Sequence, residues 1–196
     1  MTTMIPAAST SPSPHKAALR ADALGRRDAL EIDDRLEWDQ QIAEQVLALP
    51  VWAGAVGPVS AYWPMRSEAD TRPILEALHA RGLPLCLPAI VDRHMIFRRW
   101  APYEPIVPGG FGTLVPSPAE PVATPRILIV PFAAFDRRGY RIGYGKGYYD
   151  RALEELAPTL SIGIGYAAQE IEAVPDAPHD QRLDWIVTER EVIRCG

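Results

Sequence analysis

The chain has 196 residues, 47% of them hydrophobic and 23% charged, which is enough for one globular domain with a sizeable core. Its 20 Lys and Arg against 25 Asp and Glu leave a net charge of −5, the wrong sign for a protein that lives on nucleic acid or an anionic membrane, so any basic site is a local pocket. The two cysteines, Cys86 and Cys195, exclude a disulfide framework and a cysteine metal set, and no apolar run reaches the roughly 18 residues of a membrane span.

Residues 1–14, MTTMIPAASTSPSP, are rich in Ser, Thr and Pro and carry no charged side chain. They lack the apolar core of a secretory signal and the arginines of a transit peptide. The expectation is a disordered tail before a single domain over 15–196, in a cytoplasmic protein. From His15 to Leu49, apolar residues such as Leu19, Leu24, Leu36, Ile42 and Val46 recur every three to four positions, predicting two helices broken near residues 28–33. VSAYW (59–63) reads as a short strand closed by Pro64. Asp70 reads as the N-cap of a helix over TRPILEALHAR, with Gly82 as its stop. LPLCLPAI and HMIFRRW (94–100) are further strands. Ala101–Pro125 is Pro- and Gly-rich without clear elements, which suggests a binding loop. RILIVPFAAF is a fully apolar strand, GYYDRALEEL (147–156) a helix, LSIGIGY (160–166) a buried strand and LDWIVTE (183–189) the last main strand. Strand and helix alternate, so the expected fold is α/β, with helices on both faces of a central sheet.

The stretch RIGYGKGYYDR (141–151) carries the chemistry. Gly143, Gly145 and Gly147 leave backbone N–H groups unshielded, Lys146 supplies a mobile cation, and a helix begins just after them. That combination suits a phosphate. It is not a Walker A loop, because Tyr140 stands where glycine is needed and Gly147 where a hydroxyl is needed. It is not a dinucleotide fingerprint either, since the spacing is G-x-G-x-G and lies about ten residues beyond the strand. The plainer alternative is a tight glycine turn with a solvent-facing lysine.

PFAAFDRRGYRIGYGKGYYDRAL resembles the signature of the 5-formyltetrahydrofolate cyclo-ligase family, also called 5,10-methenyltetrahydrofolate synthetases. KAALR (16–20), RSEADTRPILEALHARGLPLCLP and GIGYAAQEIEAVPDAPHDQRLDWIVTE resemble its other blocks, in order, over about residues 15–190. The resemblance implies a three-layer α/β/α sandwich with a mixed or mostly parallel sheet. It implies ATP- and Mg²⁺-dependent ring closure of 5-formyltetrahydrofolate through a phosphorylated formyl group. Carried over residue by residue, Gly143, Tyr144, Gly145, Lys146, Gly147, Tyr148 and Tyr149 wrap the ATP phosphates, and Lys146 stabilises the transferred group. Lys16 and Arg20, four apart on one helix face, grip the nucleotide. Arg141 is either catalytic or holds the loop by pairing with Asp136. Asp150 and Asp184 are the magnesium ligands. Glu68, Met65, Phe111 and Tyr148 meet the folate, Glu68 through the pterin's donors and Phe111 by stacking. The chain departs from the family at Val115, where bacterial members often carry glutamate, and His179-Asp180 fits the family block without implying a metal site. Two other readings fit the residues: a homologue that keeps the ATP loop but uses another substrate or only stores folate, and a non-catalytic module. A monomer is the expected state.

Overall fold

The computed structural model describes residues 14–55, 57–178 and 180–195, with the side chain of Phe111 outside that set. Residues 1–13 of the expected tail and His179 therefore lie outside the described residues. Pro14, assigned to the tail from sequence, already opens helix α1 (Pro14–Asp28); proline is tolerated in a first turn because its missing N–H would have no partner there. The helix break near 28–33 is present, and α2 follows at Ile32–Leu47. Helix α3 is Arg72–Ala80 and α4 is Tyr148–Glu155. Thr71, not Asp70, is the N-cap residue of α3, and it makes no side-chain cap because its hydroxyl donates to the Tyr62 carbonyl at 2.6 Å. Asp70 still accepts the Arg72 N–H at 2.9 Å.

The strands in chain order are β1 (Val59–Ser60), β2 (Leu85–Val91), β3 (His94–Arg99), β4 (Ile106–Pro108), β5 (Leu114–Pro116), β6 (Val122–Ala123), β7 (Ile127–Pro131), β8 (Ala134–Phe135), β9 (Arg141–Ile142), β10 (Leu160–Ile164), β11 (Trp185–Val187) and β12 (Val192–Arg194). Eight form one mixed sheet in the order β12-β11-β10-β7-β1-β2-β3-β6. The five central strands from β11 to β2 run parallel, and β12, β3 and β6 attach by antiparallel pairings.

The central strands read as unbroken apolar runs because both faces are covered. Alternation along them sends Ile127, Ile129, Ile162, Ile164, Leu85 and Leu87 into a core with α2 and α3. Leu128, Val130, Cys86 and Ile186 point the other way, into a core with Ala152 and Leu153 of α4. The result is the three-layer arrangement. Each fully buried aliphatic side chain contributes about 1.5–3 kcal/mol. Helix α1 stands apart from both cores and seats Ala23 against Ala134, Ile142 and Val174.

Two readings change in detail. RILIVPFAAF splits after Pro131 into β7 and β8, because β8 leaves the large sheet to pair with β9. Residues 101–125 contain a β4–β5 hairpin and edge strand β6, whose prolines mask the pattern. Among the described residues no helix is long and apolar enough to cross a membrane.

Topology sets the position of the site. From β1 the chain crosses through α3 to β2 on one side; from β7 it crosses through α4 to β10 on the other. Right-handed crossovers in opposite directions put α3 and α4 on opposite faces. They leave a crevice at the carboxyl ends of β1 and β7, the switch point where open α/β sheets bind ligands.

Candidate active site

A cleft of about 200 Å³ occupies that crevice. Its apolar wall comes from Trp63 and Met65 beyond β1, Ile90 on β2, Met95 on β3 and Leu114 on β5. The segment from Arg141 to Asp150 supplies the opposite wall, including Gly143, Tyr144, Lys146, Gly147, Tyr148 and Tyr149. Glu68 adds a carboxylate. An apolar cavity with a few convergent polar groups suits a flat organic ligand.

The glycine loop bridges β9 and α4. Gly145 and Gly147 take φ of +89° and +64°, a left-handed backbone that side chains disfavour, so these two positions need glycine. Gly147 is also the residue before α4, whose first turn presents its N–H groups at the loop. Arg20 of α1 donates to the Gly143 carbonyl at 2.7 Å and lies against Gly145. One turn earlier Lys16 meets Asp180 at 2.5 Å. The structure thus brings the basic face of α1 against the glycine loop, although neither Lys16 nor Arg20 lines the cleft itself.

Arg141 is buried and donates to Asp150 Oδ1 at 2.9 Å and to the Gln181 carbonyl at 2.8 Å. Burial pulls its guanidinium pKa down, and Asp150 opposes the shift. The alternative pairing with Asp136 does not occur. Asp136 instead takes Arg138 and the N–H of Val174, which close the β8–β9 turn. Tyr149 packs its ring into the α4 core, and burial with nearby Glu68 raises its phenol, which stays neutral. Tyr148 stacks under Arg151 at 5.1 Å.

Glu68 sits in the turn after β1 with 8% of its surface exposed. Oε2 accepts the Met65 N–H at 2.9 Å and Oε1 accepts the Tyr144 hydroxyl. Burial raises its pKa, while the Tyr144 and Met65 donors and the charge of Arg27 act against the rise. The Tyr144 hydroxyl donates to Glu68 and accepts from Arg27 Nη1 at 2.9 Å. Arg27 escaped the sequence reading, as did Ser67 beside it, because α1 and the β1 turn are distant in sequence and neither residue falls in a motif.

Only one of the two expected magnesium ligands is on the cleft. Asp150 lines it, whereas Asp184 does not. Asp184 sits at the amino-terminal ends of β10 and β11, where its Oδ2 accepts both the N–H and the hydroxyl of Ser161 at 2.7 and 2.8 Å. Among the described residues no group of three or more His, Cys, Asp or Glu is placed to hold a metal. The backbone of Phe111 lies in the short turn Gly110–Gly112 between β4 and β5, beside the cleft residues Thr113 and Leu114; its side chain is outside the described set. Val115 sets its methyl groups over Gly109 within the same hairpin.

Residues 12–189 match the 5-formyltetrahydrofolate cyclo-ligase family. The 5-formyltetrahydrofolate cyclo-ligase of Escherichia coli (strain K12) is 29% identical over 176 residues, which span 85% of this chain and 96% of that protein. The cyclo-ligase of Mycolicibacterium smegmatis is 30% identical over 69% of this chain and 75% of its own. Among solved structures, 5,10-methenyltetrahydrofolate synthetase from Aquifex aeolicus superposes with a TM-score of 0.81 at 30% identity, covering 92% of both chains. The synthetase from Mycoplasma pneumoniae gives 0.73 at 26% identity, over 89% of this chain and 98% of that one. A match over nearly the whole chain, on the same sheet, makes this protein a member of the 5-formyltetrahydrofolate cyclo-ligase family.

Proposed function

We propose that the protein cyclises 5-formyltetrahydrofolate to 5,10-methenyltetrahydrofolate, with ATP as cosubstrate, Mg²⁺ as cofactor, and ADP and phosphate as coproducts. The observation that carries this reading is that one cleft has the Gly143–Gly147 loop with Lys146 on one wall and the Glu68 carboxylate among apolar side chains on another. A phosphate cradle and a pterin-sized apolar slot with one acceptor thereby face the same space.

The formyl oxygen attacks the γ-phosphorus of ATP and ADP departs. Nitrogen 10 then attacks the activated carbon, loses its proton, and phosphate leaves with the former formyl oxygen. Phosphoryl transfer needs position and charge neutralisation more than covalent help. Loop N–H groups and the first turn of α4 hold the phosphates, and Lys146 follows the charge on the transferred group. Lys16 and Arg20 add charge from α1, and Arg141 fixes the orientation of Asp150. Glu68 accepts the pterin's N–H donors, with Met65, Tyr148 and Phe111 against the ring. A single carboxylate fits a Mg²⁺ that arrives on nucleotide phosphates and keeps several waters, so Asp150 is the protein group that would hold it. When bound, the ion neutralises phosphate charge. The working unit is a cytoplasmic monomer whose domain follows a short tail.

The test is purified protein with 5-formyltetrahydrofolate, Mg²⁺ and ATP, followed by near-ultraviolet absorbance of the conjugated methenyl product. The band should grow, vanish without ATP, and slow by about 10²–10³-fold in Lys146→Ala. Absence of the band with thermal stabilisation by Mg-ATP would instead support a homologue that phosphorylates another acceptor.

A further inference from the structure

Arg27 sits in the last turn of α1 with only 3% of its surface exposed, yet it does not line the cleft. A buried guanidinium needs partners for its donors. Nε donates to Ser67 Oγ at 3.0 Å, Nη2 reaches Asp28 Oδ1 at 3.4 Å, and Nη1 donates to the Tyr144 hydroxyl oxygen at 2.9 Å. Ser67 donates in turn to Asp28. Three segments far apart in sequence therefore meet at one side chain.

The polarity of this chain of bonds follows from the donor inventory. Arginine has no acceptor, so the Tyr144 oxygen must accept from it. The single phenolic proton is then free to point at Glu68 Oε1, while the Met65 N–H occupies Oε2. Each of the three Arg27 nitrogens then has an acceptor, and the Tyr144 proton has one when Glu68 is ionised. We propose that Arg27 is a positioning residue that locks the Tyr144 hydroxyl as a donor to Glu68, and so keeps Glu68 able to accept the N–H groups of the pterin. This inference rests on the reading of Glu68 as the folate carboxylate given above.

The other groups facing Glu68 do not replace that lock. Arg66 on its own turn is the second cation near it, while Tyr62, Tyr144 and Tyr149 contribute only phenols. Burial is the largest influence on the Glu68 carboxyl and favours its protonated form. A protonated Glu68 would present an O–H to a ligand edge that also donates. Removing the positive charge and the aligned hydroxyl therefore weakens folate binding most at low pH.

Trp63 in the cleft wall gives the readout, through quenching of tryptophan fluorescence by 5-formyltetrahydrofolate without ATP. The dissociation constant is measured over about pH 5–8, and wild type should weaken as pH falls through the Glu68 pKa. In Arg27→Met the onset should move up by about one pH unit, which is about tenfold weaker binding on the acid limb. Arg27→Lys, which retains the charge and a donor, should recover part of the shift. Tyr144→Phe should reproduce the shift, and Arg27→Met added to it should cause little more. An Arg27→Met protein that melts lower but keeps the wild-type acid limb would make Arg27 purely structural and overturn the proposal. So would an unshifted limb in Tyr144→Phe, which lies on an exposed loop and tests the proposal even if Arg27→Met does not fold. Wild-type protein that binds the folate with no pH dependence sinks the inference alone; no binding at any pH sinks the folate reading with it.

Discussion

Backbone conformation is the most local determinant of the site. Gly145 lies at φ +89° with no wall closer than the Arg20 guanidinium at 3.4 Å, so a methyl there is limited by backbone strain, not by space. Gly145→Ala should cost about 1–3 kcal/mol at that residue. The expected outcome is a melting temperature lower by several degrees and a raised KM for ATP; an unaltered ATP KM would count against the phosphate loop. At this scale sequence reading was strongest where chemistry is local. The alternating glycines and Lys146 announce a loop with unshielded N–H groups, and the structure adds that Gly145 and Gly147 take left-handed backbone. Arg27 and Ser67 were illegible, because their meaning lies in partners 117 and 40 positions from Arg27.

Single elements show how tightly the second core is built behind the cleft. On β10, a Cβ at Gly163 would lie 2.5 Å from Leu183 Cδ1. Just past the strand, one at Gly165 would lie 2.4 Å from Phe132 Cε2 and 2.8 Å from Gln169 Oε1. Gln169 in turn donates to the Phe132 and Ala133 carbonyls at 2.8 and 3.1 Å, which fixes the exit of β7 beneath the site. Gly165→Ala should therefore lower stability by about 1–3 kcal/mol through overpacking. Denaturant unfolding is the check, and a variant as stable as wild type would show that Phe132 moves freely. Element existence was legible from apolar runs and periodicity. The hairpin of β4 and β5 was not, since three-residue strands ending in proline carry too little alternation to stand out.

For the molecule as a whole, buried carboxyls set a pH dependence. Asp39 on α2 is 8% exposed and accepts the Tyr166 hydroxyl at 2.7 Å and the Asp70 N–H at 3.1 Å. Burial nonetheless lifts its pKa above the ordinary carboxylate value. The folded state then holds the proton more tightly than the unfolded state. Stability falls as pH rises from the ordinary carboxylate range through the raised folded value, then levels off. Asp39→Asn should flatten that decline, read from thermal melts between about pH 4 and 7. A decline as steep as in wild type would mean that Asp39 titrates normally.

The sequence by itself determined the alternating α/β pattern, the buried strands, the glycine loop and the family, because these depend on neighbours within one turn or one strand. Only the tertiary structure decided which distant groups meet. The reversal of crossover direction between the parallel strands β1 and β7 opens the cleft and brings Glu68, Tyr144 and Arg27 together. The same sheet geometry carries Asp184 to the opposite ends of the strands, onto Ser161, and leaves Asp150 as the carboxylate of the two at the cleft. Spacing along a chain says which residues share an element; strand order and strand direction say which end of the sheet they occupy.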